Sequence, residues 1–370
     1  MSRHAYWIAS LLFSVLVLAK FNPQTGFTAL IRFGETGQDH RLAALQNLPV
    51  AVARDSNGYD GQFYAQLALD PLLQRPDLSI ALDAPAYRAR RILVPAVAAL
   101  VGLGQPWWIL QAYASLNVVC WFALGHLLRH IIGGAGWVAF ARWAGCMFGI
   151  GALDSVRQSL VDLPAMLLLA AAVEAHRQAK NGRSTLWLAL GNLTKETSLL
   201  GAFALHAEKP GRGQGRRTLL HLGLSTVPLL IWSVYVQHQF GANGSNGLGN
   251  FTWPLLGLFT QMKHALHEIA SGNFDSRYSF SLIAMLGLFT QIFVLWRSPH
   301  PHSPWWRVGA AYSILLFFLS YWVWSGYWAV CRAVLPMTVA FNLLLPANNR
   351  FWPLWISGNL TLLHGVWRFL

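Results

Sequence analysis

The stretch GYDGQFYAQLALDP, Gly58 to Pro71, holds the densest set of residues able to do chemistry. Asn57-Gly58 is a turn signal. From Gly61 to Leu69 the pattern predicts a short helix, with Phe63, Tyr64, Leu67 and Ala68 on one face and Gln62, Gln66 and Asp70 away from it. Pro71 ends it. Asp60 stands at its start, and two readings are open. Its carboxylate can cap the free backbone N–H groups of the first turn, or it can act as a general base at a membrane surface.

Cations follow close behind. Arg88, Arg90 and Arg91 precede an apolar run that begins at Ile92. Arginines in such a place either snorkel, with heads in water and stems in lipid, or grip a phosphate, whose oxygens match the planar guanidinium fork. Arg332, between Tyr327 and Pro336, offers the same choice. Asp154, Arg157 and Asp162 surround one turn. The Asp154–Arg157 spacing makes a structural i, i+3 ion pair the default, and Asp162 before Leu163-Pro164 reads as the opening of a helix. Lys195 and Glu196 are free to pair with each other or with the long loop. His264, His267 and Glu268 suit a solvated interfacial face better than a metal. The three cysteines, Cys120, Cys146 and Cys331, lie in or beside apolar segments without metal-ligand spacing. There is no phosphate-binding glycine loop, no dinucleotide fingerprint and no Ser-His-Asp arrangement, so a nucleotide-sugar donor is not suggested.

These groups must be positioned by a membrane-embedded scaffold. Of the 370 residues 55% are hydrophobic and only 11% charged, against about 25% charged in soluble domains. The net charge of +13 is spread over short loops between apolar runs and forms no continuous stripe, which argues against nucleic acid and for cytoplasmic positive loops. An uncleaved first span covers Ala5 to Ala19. A long polar stretch, Phe21 to Arg91, holds seven of the 14 acidic residues. Ile92 to Leu103 is short for a span and reads as an interfacial or dipping helix. Apolar segments follow near 107–128, 135–152, 160–173, 185–207, 218–240, 279–296, 307–323, 332–346 and 352–368.

Loop charge sets the sidedness. The basic loops 174–183 and 208–217 flank the single segment 185–207, whose centre reads Thr194-Lys195-Glu196-Thr197. A straight span would put the two loops on opposite sides and bury charges that cost about 2.5–3.5 kcal/mol each. A hairpin turning at Lys195-Glu196 removes both problems. The expected architecture is therefore an all-α polytopic bundle of about 11 membrane helices. The acidic loop and the ionisable groups Asp154, Arg157, Asp162, Lys195, Glu196, Asp275 and Arg332 lie at its outer side.

A long first outer loop, with an Asp followed by an interfacial helix bearing a tyrosine, resembles the GT-C superfamily of membrane glycosyltransferases that use polyprenyl-phosphate sugars. YDGQFY…LA, together with AYRARRILVP at 86–95, is similar to bacterial cell-surface glycopolymer formation proteins. SVRQSLVDLPAMLLLAAAV (155–173) resembles the family segment in which an Asp-x-Pro opens an inward-running helix. LGNLTKETSLL (190–200) resembles its Thr-Lys hairpin turn, and CRAVLP (331–336) a late Arg-x-x-x-Pro segment. The family's loop motif is Asp-Glu or Asp-Ser; here Gly61 follows Asp60, which leaves a loop metal site without its second acid.

The resemblance implies an inverting transfer from a polyprenyl-phosphate sugar to an acceptor hydroxyl on a glycan, lipid or protein. Asp60 would be the base, with Arg88, Arg91, Lys195 and Arg332 on the donor phosphate. Tyr59, Gln62, Tyr64, Asp162 and Tyr327 would line the cavity. No cofactor is implied, although a divalent metal would be compatible. It further implies a GT-C-like module over residues 1–217, with an extracytoplasmic loop at 21–106, followed by C-terminal helices over 218–370. The setting would be a bacterial inner membrane with the site facing outside. The rival classes are a flippase for a lipid-linked glycan and a non-catalytic part of a glycan-export complex. Both accommodate intramembrane charge, but no matched, broken half-repeats of the transporter kind are present.

Overall fold

A computed structural model describes residues 2–205, 214–241, 247–273 and 275–370. The chain is almost wholly helical. Its only strands among the described residues are the two-residue pair Phe33–Gly34 and Val52–Ala53, parallel to one another inside the long loop. Among the described residues, three helices are long and apolar enough to cross a membrane: Pro106–Ile132, the Thr218–Phe240 part of Gln214–Phe240, and Ser276–Arg297. A fourth crossing is available if Tyr327–Ala333 and Leu335–Leu344, bent by 66°, count as one.

The expectation of about 11 spans thus rests mostly on shorter or broken helices. Residues 135–152 form Trp137–Met147 and then Ile150–Arg157, interrupted where Phe148 and Gly149 leave helical geometry. Residues 352–368 divide into Phe351–Gly358 and Leu362–Phe369. Apolar composition alone cannot distinguish an unbroken helix from two half-helices. Helix breaks at membrane depth are tolerated where neighbouring helices cover the freed backbone groups.

The outer surfaces of these helices are apolar. On Ser2–Leu18, Tyr6, Ala9, Phe13, Leu16 and Val17 face the core, while Trp7, Ile8, Leu11, Leu12, Val15 and Leu18 face outward. A soluble protein rarely leaves such a contiguous patch uncovered. One hydrophobic core runs from Tyr6 to Phe369 and draws residues from both sides of position 217. Gly145 fits against Asn342, and Gly151 against the Cys331 backbone, closer than any Cβ would permit.

Segment 185–207 does turn back, as far as it is described (206 and 207, with 208–213 of the following basic loop, lie outside the described residues). Helix Asn181–Thr194 ends where Lys195 becomes extended, and a 3₁₀ helix, Glu196–Leu205, follows. Gly191 lies beside Ser198, and Gly201 beside Leu188, so the two arms run antiparallel. Ten residues of 3₁₀ geometry are unusual; Tyr312 anchors this stretch by donating its hydroxyl to the Thr197 carbonyl (2.8 Å).

Chain direction separates two ends of the bundle. Helix Asp162–Arg177 starts at the buried Asp162 and finishes in the basic loop, roughly 24 Å away at 1.5 Å per residue. The next helix returns to Lys195. The loop helices, the hairpin turn and the Tyr327–Ala333 helix therefore meet at the end opposite the 174–183 loop.

Candidate functional site

The loop helix Gly61–Leu69 forms with the bounds its sequence predicts. Its polar face is not free, however. Gln62 and Gln66 are buried, and their amides splice the loop together. Gln62 accepts from Gly34 N (3.1 Å) and donates to Asn57 O (2.8 Å). Gln66 accepts from Leu42 N (2.9 Å) and donates to Ala81 O (3.0 Å). Asp70 accepts from Arg75 N (2.7 Å). A buried polar group needs such partners, and a long loop with little secondary structure supplies them from its own backbone. Gln62 is thus a structural brace rather than a wall of the cavity described next.

Asp60 occupies the capping position but makes no cap. Its backbone is already helical (φ −51°, ψ −31°) and its side chain accepts no first-turn N–H. The carboxylate turns instead to Arg88 Nη2, at 2.8 Å. Arg88 also holds Asp83 through two bonds of 2.9 and 2.7 Å, and its guanidinium lies over Phe63 and Tyr64. Gly61 has no room for any side chain: a Cβ there would run into the carbonyl of Gln158 and that of Ile31. Glycine at position 61 is thereby a packing requirement of this fold.

Around Asp60 opens a cavity of about 460 Å³, within the roughly 300–1,000 Å³ range of small-molecule sites. Five cations line it, Arg88, Arg90, Arg91, Lys195 and Arg332, with three carboxylates, Asp60, Asp162 and Glu196. Tyr59, Tyr64 and Tyr87 add hydroxyls, and Leu315, Leu319 and Val323 an apolar wall. Arg91 forks onto Glu196 at 2.5 and 2.9 Å and donates to Tyr64 (2.8 Å) and to Tyr87. Lys195 reaches Asp162 at 2.6 Å. Arg332 donates to Asp162 (3.1 Å) and Tyr59 (2.6 Å), and its Nε lies 3.3 Å from Asp154.

The hairpin turn, the loop and the late helices are thus cross-linked by charge. Buried ions in apolar surroundings persist only when paired in this way. The cavity residues expected from sequence come together, apart from Gln62 and Tyr327. Tyr327 points elsewhere, pairing its hydroxyl with His364 Nε2 at 2.6 Å.

Several partners escaped the sequence reading. Asp154 sits 4.0 Å from Arg157, a poor contact, and is held instead by Arg332 and by Arg368 (3.2 Å) near the C-terminus. Such pairings cross the whole chain, and no local spacing announces them. Arg90 was part of the Arg88–Arg91 cluster without a separate role. It lines the cavity and bonds only the Ala86 carbonyl (3.2 Å), with no carboxylate partner among the described residues. No group of three or more metal-ligating side chains forms among the described residues; His264 packs edge-on against Tyr278.

Electrostatics keep the key groups in defined states. Partial desolvation works against ionisation of Asp60, but Arg88 at contact, with Arg332 and Arg91 behind it, holds its carboxyl below the usual carboxylate value. Burial pushes the Tyr59 hydroxyl up to about 12 against the pull of Arg332. Tyr59 therefore stays a neutral phenol and keeps a proton to donate. No protein-family model matches the chain, and neither a curated protein nor a solved structure matches it.

Proposed function

We propose that the chain is a membrane glycosyltransferase that moves a sugar from a polyprenyl-phosphate donor to an acceptor hydroxyl. The observation that carries this reading is an ionised, one-third exposed Asp60 carboxylate in a cavity whose other charged walls are mostly cationic. The acceptor oxygen attacks the anomeric carbon as the bond from that carbon to the phosphate oxygen breaks. The electron pair leaves with the polyprenyl phosphate, the acceptor proton passes to Asp60, and the configuration inverts. A carboxylate this acidic is a weak base toward a free alcohol. It becomes adequate as the new bond forms and the attacking O–H grows acidic.

The charge that develops on the leaving phosphate needs fixed cations. Arg90 is the readiest, because Arg88, Arg91, Lys195 and Arg332 already hold carboxylates. Those four tune the field and give up a carboxylate contact when phosphate enters. The apolar wall at Leu315, Leu319 and Val323 suits the first isoprene units. In this reading the short and broken helices complete a GT-C-like bundle of about 11 membrane helices, and the site faces the outer side of a bacterial inner membrane.

The test is donor consumption by purified protein in lipid nanodiscs, with a panel of polyprenyl-phosphate sugars and a mixed glycan acceptor pool. Release of polyprenyl phosphate that drops about 10²–10⁴-fold in Asp60→Asn is expected for loss of a general base. Transbilayer movement of an intact lipid-linked glycan, unaffected by Asp60→Asn, would assign the protein to the flippases instead.

A further inference from the structure

A second cavity of about 450 Å³ lies against the first, sharing Tyr59, Trp322 and Ala329 as a common wall. Its character is different. Four more aromatic residues, counting His264, face it beside Tyr59 and Trp322: Tyr278, Tyr321 and Trp328 complete the set. Uncharged polar groups come from Gln261 and Ser325. Its one arginine, Arg277, is already clasped by Asp275 at 2.6 and 2.8 Å. His264 has Glu268 at 3.9 Å. The first cavity offers spare positive charge and this annex does not, so a phosphate is drawn to one and not the other.

Gln261 is 2% exposed; its amide nitrogen donates to Ser281 (3.2 Å), while its carbonyl oxygen has no partner among the described residues. Trp322 is 76% exposed and its ring borders both cavities.

We infer that this annex binds the acceptor, and that the acceptor is an uncharged saccharide rather than a protein segment or a phospholipid. A pyranose has an apolar C–H face that stacks on Trp and Tyr rings and a rim of hydroxyls, and rings plus uncharged hydrogen-bonding groups are what the annex supplies. The shared wall brings such a sugar next to Tyr59 and hence to Asp60, its neighbour in the chain. Tyr59 already accepts from Trp328 (2.9 Å) and Arg332 (2.6 Å), so it ties the annex to the phosphate side of the first cavity. The assignment as acceptor rests on the transferase reading; the assignment as saccharide rests on the annex alone.

The experiment uses full-length protein in nanodiscs, fluorescently labelled, on an array of neutral and acidic oligosaccharides. Wild-type protein is expected to retain neutral glycans and not acidic ones. Trp322→Ala, which removes an exposed ring, and Ser325→Trp, which fills the annex, are each expected to weaken that binding at least about tenfold, the loss of one good contact. No retained glycan, a preference for acidic glycans, or binding indifferent to both variants overturns the proposal. The donor-consumption assay separates the two readings. Glycan binding without donor consumption leaves the annex standing and sinks the transferase; donor consumption without glycan retention does the reverse.

Discussion

Asp60 is gripped by Arg88, and Arg88 is gripped again by Asp83. That redundancy decides what a substitution does. Breaking a buried pair usually costs about 3–5 kcal/mol because a charge is stranded. Arg88 keeps Asp83, and the Asp60 side chain is 35% exposed, so Asp60→Asn should fold with a smaller loss than that range. The sign of the pH effect follows from the lowered Asp60 carboxyl. Its pair with Arg88 contributes fully above the ordinary carboxylate value of about 3.9. That contribution disappears only as pH falls through the lower folded value. The expected acid limb of kcat/KM therefore lies below about pH 4. A profile of transfer rate against pH checks this, and an acid limb near 6 would hand the base role to a different group.

The hairpin at Lys195-Glu196 is the element on which the site turns, since it carries the partners of Asp162 and Arg91. Its antiparallel arms give a sharp expectation. A Cβ built on Gly191 lies 3.5 Å from the Ser198 Cβ, at the short end of the disulfide range of about 3.5–4.5 Å. In one straight helix residues seven apart are separated by about 10.5 Å. The double variant Gly191→Cys/Ser198→Cys, with the three native cysteines replaced, should oxidise to an intrachain disulfide, measured as lost free thiol by mass spectrometry. Persistent free thiols under oxidant would restore the straight helix. The sequence already signalled this turn, because charges in an apolar run between two basic loops are costly to bury. It could not signal the 3₁₀ geometry of the second arm, which Tyr312 and packing against helix Pro304–Phe318 support.

At the scale of the molecule, the ionisable groups gather at one end of the bundle and the basic loop 174–183 at the other. The membrane should therefore separate Asn57, exposed in the long loop, from Gly182, exposed in the basic loop. Single cysteines at these positions, again without the native ones, are expected to label differently with an impermeant reagent: Asn57→Cys in intact cells, Gly182→Cys only after permeabilisation. Equal labelling in intact cells would sink the sidedness and, with it, an outward-facing site.

Composition, hydrophobic pattern and loop charge were enough to determine an apolar helical scaffold, the loop helix Gly61–Leu69 and the turn at Lys195, and the sequence singled out the charged groups Asp60, Arg88, Arg91, Asp162, Lys195 and Arg332 that line the cavity. Hydrophobic periodicity and the cost of buried charge are local quantities, and a sequence displays them directly. Pairing is not local. Whether Asp60 capped its helix or met Arg88, whether Gln62 faced substrate or braced the loop, and whether Asp154 paired with Arg157 or with Arg332 and Arg368 depended on contacts up to 214 residues apart. The aromatic annex is of the same kind, assembled from Tyr59 and from residues 261–329. Only the packed helices bring those rings around one space, because a cavity is set by what surrounds it in three dimensions and not by what adjoins it along the chain.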